Sequence, residues 1–132
     1  MKIQPLTQTF TVCKLNKDSD ISIETKLAMK GICFVARTDE EVSLVCESPH
    51  VPAHTLERED GWRAFRITGV LDFSLIGILS KISGILARER IGIFVVSTFN
   101  TDYVLVKADH FREALLALEQ EGYEILQLEN IC

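Results

Sequence analysis

One acidic residue, Asp102, stands where a short polar turn joins two apolar stretches. The stretches Ile93–Val96 and Tyr103–Val106 are rich in β-branched and aromatic residues, which predicts two strands of a hairpin. Asn100, Thr101 and Asp102 can close the turn through side-chain hydrogen bonds to the backbone. Asp102 therefore has two interpretations: it caps the turn, or its carboxylate faces a small ligand.

Other residue types that carry chemistry form no set. The sequence contains no Ser/His/Asp arrangement, metal-ligand cluster or phosphate-binding loop, so it predicts no catalytic residue, no metal, no cofactor and no enzyme. His50 and His54 have the i, i+4 spacing of a metal pair, but Pro52 lies between them and no nearby cysteine completes a set, which favours surface histidines. There is no C-x-x-C pair, and buried, reduced thiols are expected at Cys13, Cys33 and Cys46.

Composition limits the function further. With 132 residues, of which 47% are hydrophobic, the chain predicts one compact body or two very small ones. A net charge of -5 and the lack of an RNP1 pattern argue against a nucleic-acid partner. No leader-like segment and no apolar run of membrane-spanning length is seen, so we expect no membrane partner and a cytoplasmic location.

The first half of the chain predicts a small sheet. Residues 9–15 read as a strand, and residues 32–37 and 42–47 as a hairpin in which Val42, Leu44 and Cys46 face a core. Residues 21–30 fit neither a helical nor a strand period cleanly, and we interpret them as a short or irregular helix. Residues 48–61 hold two prolines and a charge cluster, and we predict an irregular connector there. This places the domain boundary between residues 61 and 62.

The second half has the clearest periodicity. A strand over 62–67 and a loop over 68–73 precede a helix over 74–90 with an apolar stripe at three- and four-residue spacing. The opposite side of that helix carries Gly77, Ser80, Gly84 and Ala87, which either permits close approach of another backbone or is a solvated face. After the hairpin, Asp109 is the expected N-cap of a second helix that ends at Gly122, and a strand over 123–128 follows. Residues 62–128 thus read β-α-β-β-α-β, the ferredoxin-like pattern.

A weak repeat links the halves. FVARTDEEVSLV at 34–45 overlays VVSTFNTDYVLV at 95–106 with a shift of 61 residues, which matches Glu41 to Asp102. The fold class predicted is therefore α+β, with two ferredoxin-like units packed as a pseudo-repeat and the first of them degenerate. The units would be residues 1–61, including the connector 48–61, and residues 62–132.

A family resemblance rests on two segments. The run from Gly69 to Ile125, with IGIFVVSTFNTDYVLV at 91–106, closely resembles an ACT domain of the type found in aspartate kinases and cytosolic arginine sensors, and departs from the motif only at Gly92. The preceding RTDEEVSLVCE, VP and GWRAFRI resemble the N-terminal unit of small bacterial proteins made of two such domains. No motif is seen in residues 1–31.

The resemblance implies regulation by a bound amino acid that lies between two ACT units. It assigns ligand contacts to Asp72, Phe73, Ser74, Gly77 and Ile78 at the loop and helix start, and to Thr98, Phe99 and Asp102 at the strand end and turn. Glu41 is the one tentative counterpart in the first half. Backbone N–H groups at a helix start suit an α-carboxylate, and Asp102 suits an ammonium or guanidinium, so a cationic amino acid is somewhat favoured.

Two functional hypotheses therefore remain. In the first, the chain is a non-catalytic module that binds or senses a free amino acid and signals through an unknown effector protein. In the second, it is a ligand-free interaction or dimerisation module. A homodimer is expected in either case, because exposed sheet edges and the small-residue helix face invite packing, although the two halves could cover these surfaces within one chain.

Overall fold

The computed structural model describes residues 1–18, 30–68 and 77–128. Seven strands and two α-helices lie in these ranges, together with one 3₁₀ turn at Ser48–His50. The strands are β1 Lys2–Leu15, β2 Cys33–Arg37, β3 Val42–Glu47, β4 Glu57–Thr68, β5 Phe94–Ser97, β6 Asp102–Lys107 and β7 Glu124–Ile125. The helices are α1 Ile78–Arg88 and α2 Ala108–Gln120. The helix expected over 21–30 lies almost entirely outside the described residues.

The chain forms two compact units, and the first seven residues do not belong to the N-terminal one. The N-terminal unit contains Gln8–Trp62, whereas the C-terminal unit contains Met1–Thr7 and the described residues from Arg63 onward. The cause is a pairing between the two ends of the chain: Lys2 and Ile3 in β1 pair in parallel with Glu124 and Ile125 in β7. Such a pairing leaves no local sequence signal, so the sequence alone predicts a first unit that begins at residue 1.

The C-terminal unit carries both α-helices. Its strand order is β7, β1, β4, β6 and β5, and β5 pairs with β6 in antiparallel register. The predicted stripes are confirmed where they are described, since each helix buries its apolar side against the same core. The buried core members are Ile3, Phe65, Ile67, Ile82, Ile85, Leu86, Ile91, Val104, Val106, Phe111, Ala114, Ala117 and Leu118.

Three predicted element ends in this unit need correction. Helix α2 begins at Ala108, so Lys107 rather than Asp109 is its N-cap, and Asp109 lies in the first turn. That position still suits a carboxylate, because the helix dipole favours negative charge there. The last strand is only Glu124–Ile125, and α1 ends at Arg88 rather than at Arg90; residues 74–76, at its predicted start, lie outside the described residues. Gly122 ends α2 as predicted, with a left-handed φ of 97°.

The N-terminal unit is an antiparallel sheet with its own core. Its strands lie in the order β2, β3, β1 and β4, and the predicted hairpin is confirmed with Arg37 opposite Val42 and Cys33 opposite Cys46. The thiols of Cys13 and Cys46 are buried among Leu15, Val42 and Leu44, as expected for small apolar residues, and Cys33 packs against this cluster half-buried.

The predicted irregular connector is wrong over its last part. Residues 57–61 are extended and belong to β4, which runs from Glu57 to Thr68. Their charges lie exposed on the strand, and Asp60 accepts hydrogen bonds from Arg58 at 2.7 Å and from the buried Thr11 hydroxyl at 2.6 Å. Only the segment that holds the two prolines departs from regular strand structure, because proline cannot donate to a strand ladder.

Candidate functional site

The β5–β6 turn is closed by two threonines. The Thr98 N–H and hydroxyl both donate to the Thr101 carbonyl, at 2.8 and 3.0 Å, and the Thr101 N–H donates to the Thr98 hydroxyl at 3.3 Å. Asp102 takes no part in this closure and begins β6 opposite Ser97. Thr98 therefore closes the turn, which is one of the two roles that the sequence suggested for Asp102.

The Asp102 carboxylate is available for other contacts. Among the described residues it has no hydrogen-bond or ion-pair partner, and the residue is half-buried. A carboxylate in that setting can accept hydrogen bonds from an ammonium or a guanidinium. Thr98 and Phe99 lie beside it at the exposed tip, where Phe99 is 86% exposed.

A hydrogen bond fixes this turn to the end of β4. The Thr101 hydroxyl donates to the Ile67 carbonyl at 2.6 Å, one residue before β4 ends at Thr68. Asp72, Phe73 and Ser74, the predicted ligand residues that follow β4 in the sequence, lie outside the described residues. The structure thus places the turn that bears Asp102 next to the last residues of β4.

Strand alternation decides which side of the sheet Asp102 faces. Asp102 lies on the same face of β6 as Val104 and Val106, because side chains two residues apart in a strand point to the same side. Val104 and Val106 both pack into the core beneath the helices. Helix α1 begins on the same side with Ile78, which packs half-buried against that core. Asp102 and the start of α1 therefore share the helix-bearing side of the sheet.

Gly77 has a conformational role. It is the N-cap of α1, with a left-handed φ of 83° and no side-chain capping hydrogen bond. Glycine adopts this conformation at little steric cost. A Cβ built there would meet nothing within 4 Å, so Gly77 belongs to the turn into the helix and is not a member of a close-packing helical row.

Sequence reasoning missed a polar pair on the opposite side of the sheet. The Arg66 guanidinium donates to the Tyr103 hydroxyl at 3.2 Å, and both residues are half-buried. The signal was present in the two-residue period, since Arg66 alternates with the core residues Phe65 and Ile67. Because Arg66 and Asp102 face opposite sides, this cation does not neutralise the carboxylate.

The N-terminal unit contains a turn of the same kind, without a carboxylate at the position of Asp102. The Thr38 N–H donates to the Glu41 carbonyl at 2.9 Å, and the Glu41 N–H donates to the Thr38 hydroxyl at 3.1 Å. Arg37 pairs with Val42 as Ser97 pairs with Asp102, so the hairpins correspond at a shift of 60 rather than 61 residues. Glu41 then corresponds to Thr101, and the buried Val42 occupies the position of Asp102. The match of Glu41 to Asp102 is therefore wrong by one residue.

The described residues contain no group of three or more His, Cys, Asp and Glu side chains placed to hold a metal ion. Neither described helix is long and apolar enough to cross a membrane.

Part of the chain matches a known family. A family model described as ACT domain matches residues 57–120, just under half of the chain. ACT domains are regulatory modules that bind amino acids. The matched range includes β4, α1, the β5–β6 turn and α2, and therefore the described candidate residues.

Solved structures show the same fold over nearly the whole chain. Protein Atu0741 from Agobacterium tumefaciens is 29% identical with a TM-score of 0.86, covering 98% of this chain and 93% of that one. VC0802 from Vibrio cholerae, a protein of unknown function and possible transport protein, is 20% identical with a TM-score of 0.73, covering 90% and 88%. The regulatory subunit of aspartate kinase from Thermus thermophilus is 11% identical with a TM-score of 0.66, covering 92% and 98%. A search of curated proteins gave no match.

Proposed function

We propose that this protein is a non-catalytic regulatory module that binds a free amino acid beside Asp102. The observation that carries the proposal is the half-buried Asp102 carboxylate, which has no partner among the described residues and lies at the end of a strand within the ACT match. A cation bound there would form a charge-assisted hydrogen bond with this carboxylate. A bound amino acid supplies at least one, its α-ammonium.

The ligand class follows from charge. We propose that backbone N–H groups near Ser74 hold the α-carboxylate, and that carbonyls near Thr98 and Phe99 accept from the α-ammonium. Asp102 then meets a second cation, which favours lysine or arginine, and Phe99 covers the aliphatic stem. If Asp102 instead holds the α-ammonium, side-chain charge makes little difference to affinity.

The assembly is part of the proposal. The two compact units would be ACT-like units of one pseudo-repeat, a view supported by their equivalent Thr38 and Thr98 turns. Since only the C-terminal unit has the carboxylate, we propose one such site per chain, completed by a second ACT unit. We also propose a homodimer, an effector protein that receives the signal, and a cytoplasmic location that keeps the thiols of Cys13 and Cys33 reduced.

Titration calorimetry with arginine, lysine, leucine and glutamate tests this function. A charge-assisted contact contributes roughly 1.5–3 kcal/mol, so Asp102→Asn is expected to weaken a cationic ligand by about one to two decades. Glu41→Gln is the matched control, because it neutralises a carboxylate in the equivalent turn of the other unit. Binding at one ligand per chain is expected, with the control unchanged.

Two calorimetric results would contradict the proposal in different ways. Equal affinities for the four amino acids would remove the preference for a cationic side chain. Failure of all four to bind would favour the second candidate, a ligand-free interaction module, which is supported by an exposed face of small residues on α1 at Ser80, Gly84 and Ala87.

A further inference from the structure

An open groove of about 1140 Å³ runs along helix α1 in the C-terminal unit. Ile78, Ile85 and Tyr123 supply its apolar lining, and Ser80 and Gly84 form a low stretch of the helix surface. Small-molecule sites are mostly about 300–1,000 Å³ and enclosed. A groove this large and open fits a segment of a macromolecule better than a free amino acid.

Gly84 in this groove has no role inside the fold. Glycine in a helix interior costs about 1 kcal/mol relative to alanine. A Cβ at Gly84 would meet nothing within 4 Å, and its φ is not left-handed, so neither packing nor backbone conformation requires glycine there. The missing side chain leaves a notch on the solvent side of α1.

The charged side chains that line the groove are Lys81, Arg88 and Glu121, an excess of one positive charge. Both cations belong to helix α1. Arg88 forms an exposed ion pair with Glu121 at 2.8 Å, whereas Lys81 has no ion-pair partner among the described residues. An occupant should therefore present an apolar side chain for the notch and carboxylates for the rim.

The outward face of α2 has this chemistry. Asp109, Glu113 and Leu116 follow one another at i, i+4 and i+7, on the side of α2 opposite its buried residues. Leu116 is 47% exposed, one of the few large apolar side chains in the described residues that remain in solvent. Both carboxylates are exposed, and Glu113 makes only a long contact of 3.8 Å with His110.

We infer that the α1 groove is the docking site for helix α2 of a second copy of the chain. Leu116 of one copy would enter the notch at Gly84 of the other, while Asp109 and Glu113 would meet Lys81 and Arg88. In a twofold dimer this contact occurs twice, so the same surface is self-complementary. The inference rests on the homodimer proposed above and adds the surface that forms it.

Complementary charge reversal tests the inference by sedimentation velocity at tens of micromolar. One variant carries Lys81→Glu and Arg88→Glu, and the other carries Asp109→Lys and Glu113→Lys. Each variant alone is expected to sediment as a monomer, because both of its contacts join like charges. Mixing the two is expected to restore a dimer, since both contacts in the mixed dimer join opposite charges. Glu41→Lys is the control for a charge reversal elsewhere, and it should leave the dimer intact.

Gly84 provides a second test that does not depend on charge. Gly84→Ala is expected to raise the thermal midpoint of unfolding while Gly84→Leu, which fills the notch, yields a folded monomer. If the dimer persists in Gly84→Leu and in both charge-reversal variants, the proposed docking surface is wrong, although the protein is still a homodimer. A wild-type monomer would overturn both. Calorimetry with arginine on the same samples reports on amino-acid binding separately, so failure of the surface is distinguishable from failure of the proposed ligand site.

Discussion

The Thr101 hydroxyl lies 2.6 Å from the Ile67 carbonyl oxygen, to which it donates a hydrogen bond. This bond joins the β5–β6 turn, and with it Asp102, to the end of β4. The equivalent position in the N-terminal unit is Glu41, which is exposed and has no hydroxyl. This hydrogen bond is therefore particular to the unit that carries the candidate site.

Removal of this hydroxyl should weaken both stability and binding. Thr101→Val keeps the shape of the side chain and leaves the Ile67 carbonyl without its donor, at an expected cost of about 0.5–1.5 kcal/mol in the free energy of unfolding. Amino-acid affinity should fall as the turn loosens. Urea unfolding and calorimetry measure the two effects, and Thr101→Ser, which keeps the hydroxyl, is the control. If Thr101→Val binds the amino acid as tightly as the wild type, the hydrogen bond between Thr101 and Ile67 does not contribute to ligand binding.

Gly31 and Glu47 should act as a coupled pair. The Ile32 N–H donates to the Glu47 carboxylate at 2.7 Å, and a Cβ at Gly31 would collide with that carboxylate. Gly31→Ala should displace the Glu47 side chain and lose a charge-assisted hydrogen bond, at a cost of roughly 1.5–3 kcal/mol. In a Glu47→Ala background the same substitution should cost little. Urea unfolding of the four proteins in this cycle measures the coupling, and simple additivity would contradict it.

Replacement of Arg63 by lysine should lower the stability of the fold. Its guanidinium carbon lies 4.3 Å from the centroid of the Phe111 ring, and its Nη2 donates to the Leu6 carbonyl at 2.8 Å. Burial lowers the pKa of the Arg63 guanidinium, which shows that the cation sits partly out of water. A lysine loses the planar stacking geometry, so Arg63→Lys should destabilise the fold by about 1–3 kcal/mol.

The control for Arg63 is a cation elsewhere in the same unit. Arg112 is exposed on α2, so Arg112→Lys should leave the free energy of unfolding nearly unchanged. Equal effects of the two substitutions in urea unfolding would show that stacking on Phe111 contributes nothing.

Stability should fall at alkaline pH in a way that depends on Cys46. Burial, with the neighbouring Cys13 and Cys33 thiols, raises the pKa of the Cys46 thiol to about 12 from its ordinary 9.0. The unfolded chain loses this proton above about pH 9, whereas the folded chain retains it, so the stabilisation is complete below pH 9 and declines toward pH 12. Cys46→Val removes the titrating group and should flatten that decline.

Unfolding midpoints in urea, taken at several pH values above neutrality, compare the two proteins. Lysines and tyrosines titrate in both, so only the difference between wild type and Cys46→Val reports on the thiol. Parallel curves would contradict the role assigned to Cys46.

The sequence by itself determined the local elements of this protein. Strand alternation at Val42, Leu44 and Cys46 and the helical stripe that includes Ile82 and Leu86 fixed which side chains are buried, because a period of two or 3.6 residues places them on one face. The same patterns located the β5–β6 turn and identified Asp102 as the carboxylate beside it. The resemblance of IGIFVVSTFNTDYVLV to the ACT motif also came from local sequence.

Only the tertiary structure decided which distant segments meet. The pairing of Lys2 with Glu124 places the first seven residues in the C-terminal unit, and the bond from Thr101 to Ile67 holds the turn before Asp102 against the end of β4. Strand pairing aligns the two hairpins at a shift of 60 residues rather than 61, so that Val42, not Glu41, is the counterpart of Asp102. These facts depend on hydrogen bonds between residues far apart in the chain, and such bonds are chosen by the packing of the whole sheet rather than by any local pattern.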